Sequence, residues 1–226
     1  MCFSATASIC AFSFGLFWLT LIIIKKMYIY AALYASIIIM QLFEYFGHLN
    51  LSGDKLFGFP ISNEIVAYLI FGTIIVQPII WNLVYMFKGN NKKYMNIASF
   101  LLPLFVLSSG YLFYQAIKNN MMKISKLSQC TDSFCRMDWT FLRSLPLFSF
   151  LWVLFYGLMF NLPRLFASNI KNDNIHLGFV GLLLVLSLIY QIVVEKIGNL
   201  NILLSAFGSL WCILCVLLGP YIYFFA

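Results

Sequence analysis

The chain has 226 residues, of which 63% are hydrophobic, 19% aromatic and only 9% charged. Soluble domains carry about a quarter charged residues, so a soluble globular fold and a disordered chain are both excluded, and six cysteines over this length are too sparse for a disulfide scaffold. The formal charge of +7, from 14 Lys and Arg against 7 Asp and Glu, belongs in such a chain to loops on the cytosolic leaflet, and no nucleic-acid partner is expected.

What remains is an all-α integral membrane protein, with 1–226 forming a single transmembrane domain. A spanning helix takes about 20 apolar residues, and seven apolar blocks follow in chain order, at 5–24, 28–48, 61–87, 94–117, 139–163, 177–195 and 201–225. None shows strand alternation, and backbone in lipid must pair within its own segment, which leaves helices. The first block lacks a basic leader and is followed by Lys25 and Lys26, the pattern of a retained helix and not of a cleaved signal.

Seven crossings sort the basic residues into two sets. Lys25, Lys26, Lys88, Lys92, Lys93, Arg164 and Lys171 fall on one side; Lys55, Lys118, Lys123, Lys126, Arg136, Arg143 and Lys196 fall on the other. The totals tie, but the short loops at Lys25 and Lys92 are dense and acid-free, whereas the opposite side mixes in Asp54, Glu64, Asp132, Asp138 and Glu195. The first side therefore reads as cytosolic, with the N-terminus outside and the C-terminus in the cytosol. The loop at 118–138 then lies outside, where Cys130 and Cys135 either close a small disulfide ring or stand as two free thiols.

An ionisable group at membrane depth is a functional candidate by default. Glu44 lies sixteen residues after Tyr28, about 24 Å along a helix, in the outer part of the bilayer. Gln41 and His48 share its face at offsets of three and four, and with Glu195, Gln191, Gln115, Ser108, Ser109 and Thr6 at or below this level they suggest an outward-opening polar pocket. The third block is broken by Gln77-Pro78, with Trp81 and Asn82 a turn later; proline there makes a hinge, a binding notch or a plain kink. Cys212 and Cys215 form C-x-x-C in the middle of the last block, where a thiolate is disfavoured and buried small hydrophobes fit better than a redox pair. Glu44 and His48 have helical metal-ligand spacing, but the other histidine, His176, begins the sixth block on the opposite side, so no metal and no cofactor is expected. No lysine occupies the middle of a span, which denies a retinal Schiff base its anchor.

The second and sixth blocks end alike. Glu44-Tyr-Phe-Gly47-His-Leu49-Asn50 and Glu195-Lys-Ile-Gly198-Asn-Leu200-Asn201 are both E-x-x-G-x-L-N, each preceded by a glutamine one turn earlier, Gln41 and Gln191. Helices one to three then correspond to five to seven, with the fourth as a linker. This 3+1+3 arrangement is a parallel repeat about the membrane normal, as in the sugar facilitators called SWEETs. The alternative is recurrence of common helix-end residues.

The opening Met1-Cys-Phe-Ser-Ala-Thr-Ala-Ser8, with Gln41 and Glu44 as Q-x-x-E in the second block, resembles an uncharacterised family of small multi-pass membrane proteins. The resemblance implies a seven-helix protein in which Cys2, Ser4, Gln41 and Glu44 form one site, and implies no reaction; Tyr45 stands where that family carries glycine. The repeat also resembles PQ-loop and SWEET-type transporters, although Gln77-Pro78 reverses their Pro-Gln order.

The function expected is binding and translocation of a small polar solute, cation or proton by Glu44, Gln41, His48, Glu195, Gln191, Cys2, Gln77 and Asn82. The alternatives are a seven-helix receptor or sensor without transport, and an intramembrane metal-assisted hydrolase or thiol oxidoreductase. Topology is open to direct test. On intact cells, a cysteine placed at Ser128 should react with an impermeant thiol reagent and one placed at Lys92 should not; labelling at position 92 alone would reverse the orientation.

Overall fold

The computed structural model describes residues 4–56, 59–60, 62–88, 91–126, 137–166, 189 and 216–225. Among these, five helices are long and apolar enough to cross a membrane: α1 (Ala5–Ile24), α2 (Tyr28–Ser52), α3 (Asn63–Lys88), α4 (Lys92–Lys118) and α5 (Pro146–Phe166). A shorter helix, α6 (Leu218–Phe225), follows near the C-terminus. The protein is thus a helical, multi-pass membrane protein. The span expected at 177–195 and most of that at 201–225 lie outside the described residues, as do Cys2, Cys130, Cys135, Gln191, Glu195, Cys212 and Cys215.

The first helix occupies the expected 5–24. Three helix ends are then set by one device. At Lys26 (φ 59), Gly53 (φ 80) and Asn120 (φ 54) the chain turns left-handed, and that residue's own amide and the next one reach back to the last turn: Met27 N to Ile22 O and Lys26 N to Ile23 O, Asp54 N to Leu49 O and Gly53 N to Asn50 O, Met121 N to Ala116 O and Asn120 N to Ile117 O. These are Schellman turns, which satisfy carbonyls the helix leaves open. The turn at Gly53 explains why α2 runs beyond the expected end at 48.

Two features differ from an all-helical reading. Lys55–Leu56 pairs antiparallel with Phe59–Pro60, forming β1 and β2. Ile124–Lys126 pairs with Met137–Trp139, forming β3 and β4, in the register Ile124 to Trp139 and Lys126 to Met137. The second hairpin and the 3-10 turn after it, Thr140–Arg143, delay the start of α5 from the expected 139 to Pro146. Proline suits a first helical turn, having no amide hydrogen to leave unsatisfied.

Helix α2 is central. It packs on α1 and on α3, and α5 packs on α3 and α4. On α1 the buried residues are Ser8, Gly15 and Ile22. That seven-residue spacing is the narrow seam of a left-handed helix pair, with small residues at two positions so the backbones approach closely. A second centre lies at Phe71 of α3, whose ring stacks on Phe113 of α4 (5.5 Å), meets Phe141 edge-on (5.1 Å) and stacks on Trp152 of α5 (6.1 Å). At the opposite end of the bundle, Lys25 in the α1–α2 turn donates to the carbonyl of Tyr223 in α6 and lies over its ring at 4.0 Å.

Two backbone carbonyls have cross-helix donors for an identifiable reason. Pro163 and Pro220 have no amide hydrogen, so neither Met159 nor Val216, four residues before them, can accept the usual helical bond. Asn82 Nδ2 of α3 donates to Met159 O at 2.6 Å, and Tyr34 Oη of α2 donates to Val216 O at 2.7 Å. The same Tyr34 ring fills the space beside Gly219.

The α1–α2 seam makes a quantitative prediction. A Cβ at Gly15 would collide with the branched side chain of Ile38, whereas one at Gly110 would meet nothing within 4 Å. Gly15→Ala should destabilise the detergent-solubilised protein by about 1–3 kcal/mol through overpacking. Gly110→Ala should be neutral or stabilising by up to about 1 kcal/mol, since alanine is the better helix former. Thermal unfolding of the two variants side by side measures the difference.

Candidate functional site

The site is built on the buried face of α2. Gln41, Glu44 and Gly47 recur every three residues and are all buried; Gln41 and Glu44 are 0% exposed. A carboxylate this deep in a spanning helix carries a desolvation cost that ordinary packing does not offset. His48, one turn beyond Glu44, is half-buried.

Two side-chain bonds set the level of Glu44 against α3. Asn63 Nδ2 donates to Asn50 Oδ1 at 3.0 Å, and Gln77 Nε2 donates to Ser36 O at 3.0 Å. Fourteen residues separate the anchors on each helix (50 − 36 and 77 − 63), so the antiparallel register places Glu44 about level with Leu69 and the buried Ile70. On α1, the close approach of Gly15 to Ile38 places Ile9 and the fully buried Ser8 at that same level. Ser8 Oγ donates to Ser4 O, and Ser4 Oγ accepts from Ala7 N as the cap of α1. The start of α1, the glutamine–glutamate face of α2 and the middle of the first half of α3 thus share one layer. Ser8 was not among the residues expected here; its signal is the seven-residue spacing to Gly15 and Ile22.

The β3–β4 hairpin lies over this layer. A Cβ at Gly47 would come within 2.6 Å of Met137 Sδ and 2.8 Å of Ile124 Cδ1, so the absent side chain is what admits the hairpin against α2, one turn from Glu44. Asn63 holds it there as a peptide mimic, accepting from Ile124 N at 2.7 Å and donating to Ile124 O at 2.9 Å. Behind the hairpin, buried Asp138 accepts from Ser125 Oγ at 3.0 Å and pairs with Arg143. The pocket expected to open outward above Glu44 is therefore covered in this structure by Met137 and Ile124.

Gln77 and Asn82 do not join Glu44. Gln77 sits about 12 Å from it along the bundle, eight residues at 1.5 Å each. Gln77 Oε1 accepts from Tyr156 Oη of α5 at 2.7 Å. Asn82 Nδ2 donates to Pro78 O at 2.8 Å as well as to Met159 O, and Tyr94 Oη of α4 donates to both Asn82 O (3.1 Å) and Asn82 Oδ1 (3.0 Å). Trp81, Asn82 and Tyr94 are buried. This second polar layer knits α2, α3, α4 and α5 together.

No family model matches the chain, and no characterised protein or solved structure matches it either.

Asn63 is the testable centre of the hairpin cover. Asn63→Leu removes both bonds to Ile124 and the bond to Asn50, leaving a partly buried amide and carbonyl without partners at about 1–3 kcal/mol each. Its unfolding midpoint should fall markedly, and Asn63→Asp, which keeps only the acceptor, should lie between the variant and wild type. Equal midpoints for all three proteins would show that Asn63 does not hold the hairpin.

Proposed function

We propose that this protein binds a small polar solute, cation or proton at Glu44 and carries it across the membrane. The observation that carries the reading is the wholly buried Glu44 carboxylate, with Gln41 one turn away, inside a spanning helix. An acidic group retained at such a cost is suited to exchanging a proton or accepting a cation. The solute reaches Glu44 from the hairpin side when the Ile124–Met137 cover moves, and leaves through the Gln77–Asn82 layer.

The proposal extends to a seven-span chain with a 3+1+3 parallel repeat, N-terminus outside and C-terminus cytosolic, in which Glu195 and Gln191 are the counterparts of Glu44 and Gln41. Support comes from the duplicated E-x-x-G-x-L-N and from the Lys25–Tyr223 contact. That contact puts the end of α6 beside the α1–α2 turn, the end of the bundle where a seventh crossing would finish. The resemblance of the N-terminus adds Cys2 and Ser4 to Gln41 and Glu44 as members of one site.

A second reading, a receptor that binds at Glu44 without transport, is favoured by one feature: the Gln77–Asn82 layer is packed shut around Trp81 and Tyr94.

The decisive measurement is flux in reconstituted vesicles. Glu44→Gln keeps size and hydrogen bonding but cannot change charge; it should fold and lose pH-dependent uptake or current, while Glu195→Gln, with Lys196 adjacent, should be milder. Undiminished pH-dependent flux in Glu44→Gln sinks the proposal. A wild-type protein that carries no flux yet changes its thermal stability with pH only when Glu44 is present would be a receptor.

A further inference from the structure

The polar layer at Gln77 and Asn82 has an unusual construction. Asn82 lies four residues after Pro78 in α3, and the carbonyl it caps, Met159 O, lies four residues before Pro163 in α5. Each partner helix therefore lacks one backbone hydrogen bond, α5 at the contact itself (Met159 O) and α3 in the turn before Pro78 (Ile74 O), and such breaks are where helices bend at least cost. Two polar bonds join α3 to α5 here: Asn82 Nδ2 to Met159 O at 2.6 Å, and Tyr156 Oη to Gln77 Oε1 at 2.7 Å about one turn earlier. Tyr94 of α4 fixes the Asn82 side chain from the other side, its hydroxyl donating to Asn82 Oδ1 at 3.0 Å, which leaves the amide nitrogen directed at Met159.

We propose that Asn82 is the latch of an inner gate: its bond to the proline-freed Met159 carbonyl holds the last turns of α5 against α3, and its release swings the two proline-jointed ends apart. Tyr94 is a positioning residue that sets the amide. The proposal rests on the reading of Glu44 as a site that exchanges solute across the membrane, and it names the step that opens the path on the side away from the hairpin. When the bond breaks, Met159 O loses a donor that its own helix cannot replace, so water must enter for the open state to persist. That requirement couples opening to hydration of the layer and makes the closed state dry.

The test uses the full chain in vesicles, with the six native cysteines replaced and one reporter added. Met159→Cys keeps the backbone carbonyl and places a thiol at a position that is fully buried. Ala116→Cys, equally buried near the hairpin end of α4, reports general loosening. With a charged, impermeant thiol reagent, Asn82→Leu should raise the labelling rate of Met159→Cys by about 3- to 15-fold, the factor one interhelical hydrogen bond in a membrane is worth. Ala116→Cys should be unchanged. Should Asn82→Leu fail to fold, Tyr94→Phe deletes a single oxygen and should raise the Met159→Cys rate in the same direction. Unchanged labelling in the folded variants, or equal increases at both reporters, overturns the latch. Flux is scored separately: a latch that opens in a wild-type protein with no pH-dependent flux refutes transport through Glu44, whereas normal flux with labelling insensitive to Asn82 and Tyr94 refutes the latch alone.

Discussion

Inside a bilayer a carbonyl that loses its helical donor has no water to turn to, and that constraint organises this bundle. Pro163 and Pro220 each strip one carbonyl, and each is served from a neighbouring helix: Met159 by Asn82 of α3, Val216 by Tyr34 of α2. These donors are among the most buried side chains of the protein, because a hydrogen bond offered across helices to a single acceptor needs its donor held in place. Prolines that would weaken α5 and α6 in isolation thus become the points at which those helices are tied to the centre. Helix α2 gains its central place through the same logic. It presents Tyr34 to the C-terminal segment, Ser36 O to Gln77, and Asn50 to Asn63, so its neighbours are registered by polar contacts at three heights.

Between the upper and lower of those heights lies Glu44. Its layer has an apolar roof, formed by Met137 and Ile124 seated on Gly47, and a polar floor of Gln77, Asn82 and Tyr94. The roof depends on one missing side chain and one asparagine that imitates a peptide; the floor depends on two proline joints. Neither surface is the featureless leucine packing that would suffice to hold a bundle together, and both are assembled from groups whose bonds can be exchanged singly. This contrast between the buried Glu44 carboxyl group and its dismountable surroundings gives the transport reading its physical content.

Much of this was legible in the residues. The first span was bounded by its apolar run and Lys25-Lys26, and the burial of Gln41 and Glu44 followed from their three-residue spacing on one face. The β3–β4 hairpin was not legible. Ten residues separate its strands, and Met137-Asp138-Trp139 is buried at all three positions, so the alternation that marks a half-exposed strand is absent. Its apolar ends read instead as the beginning of a helix, although Pro146 already held the truer start. Gln77 and Asn82 were recognised as unusual, but their roles were hidden because the acceptors are backbone atoms, which carry no residue signature. The clue was indirect: a proline four residues downstream of Met159 and of Val216 announces an open carbonyl without saying which helix will fill it. Asn63 was silent for a similar reason, since an asparagine at the head of an apolar block reads as a cap until the strand it pairs with is known.

The helices differ in length, and the difference has a consequence for the host membrane. Helix α1 has 20 residues and α4 has 27, about 30 Å and 40 Å of helix against a hydrocarbon layer of about 30 Å. A longer helix absorbs mismatch by tilting or by projecting into the headgroups, but α1 has no slack: Ser4 caps one end, Lys25 is bound to Tyr223 at the other, and little of its surface is buried in the bundle. In a thicker bilayer, α1 must thin the lipid around itself or slide along its Ser8–Gly15–Ile22 seam, and at Ser8 that seam lies level with Glu44. Bilayer thickness therefore acts on this protein first through the helix that borders its buried carboxylate.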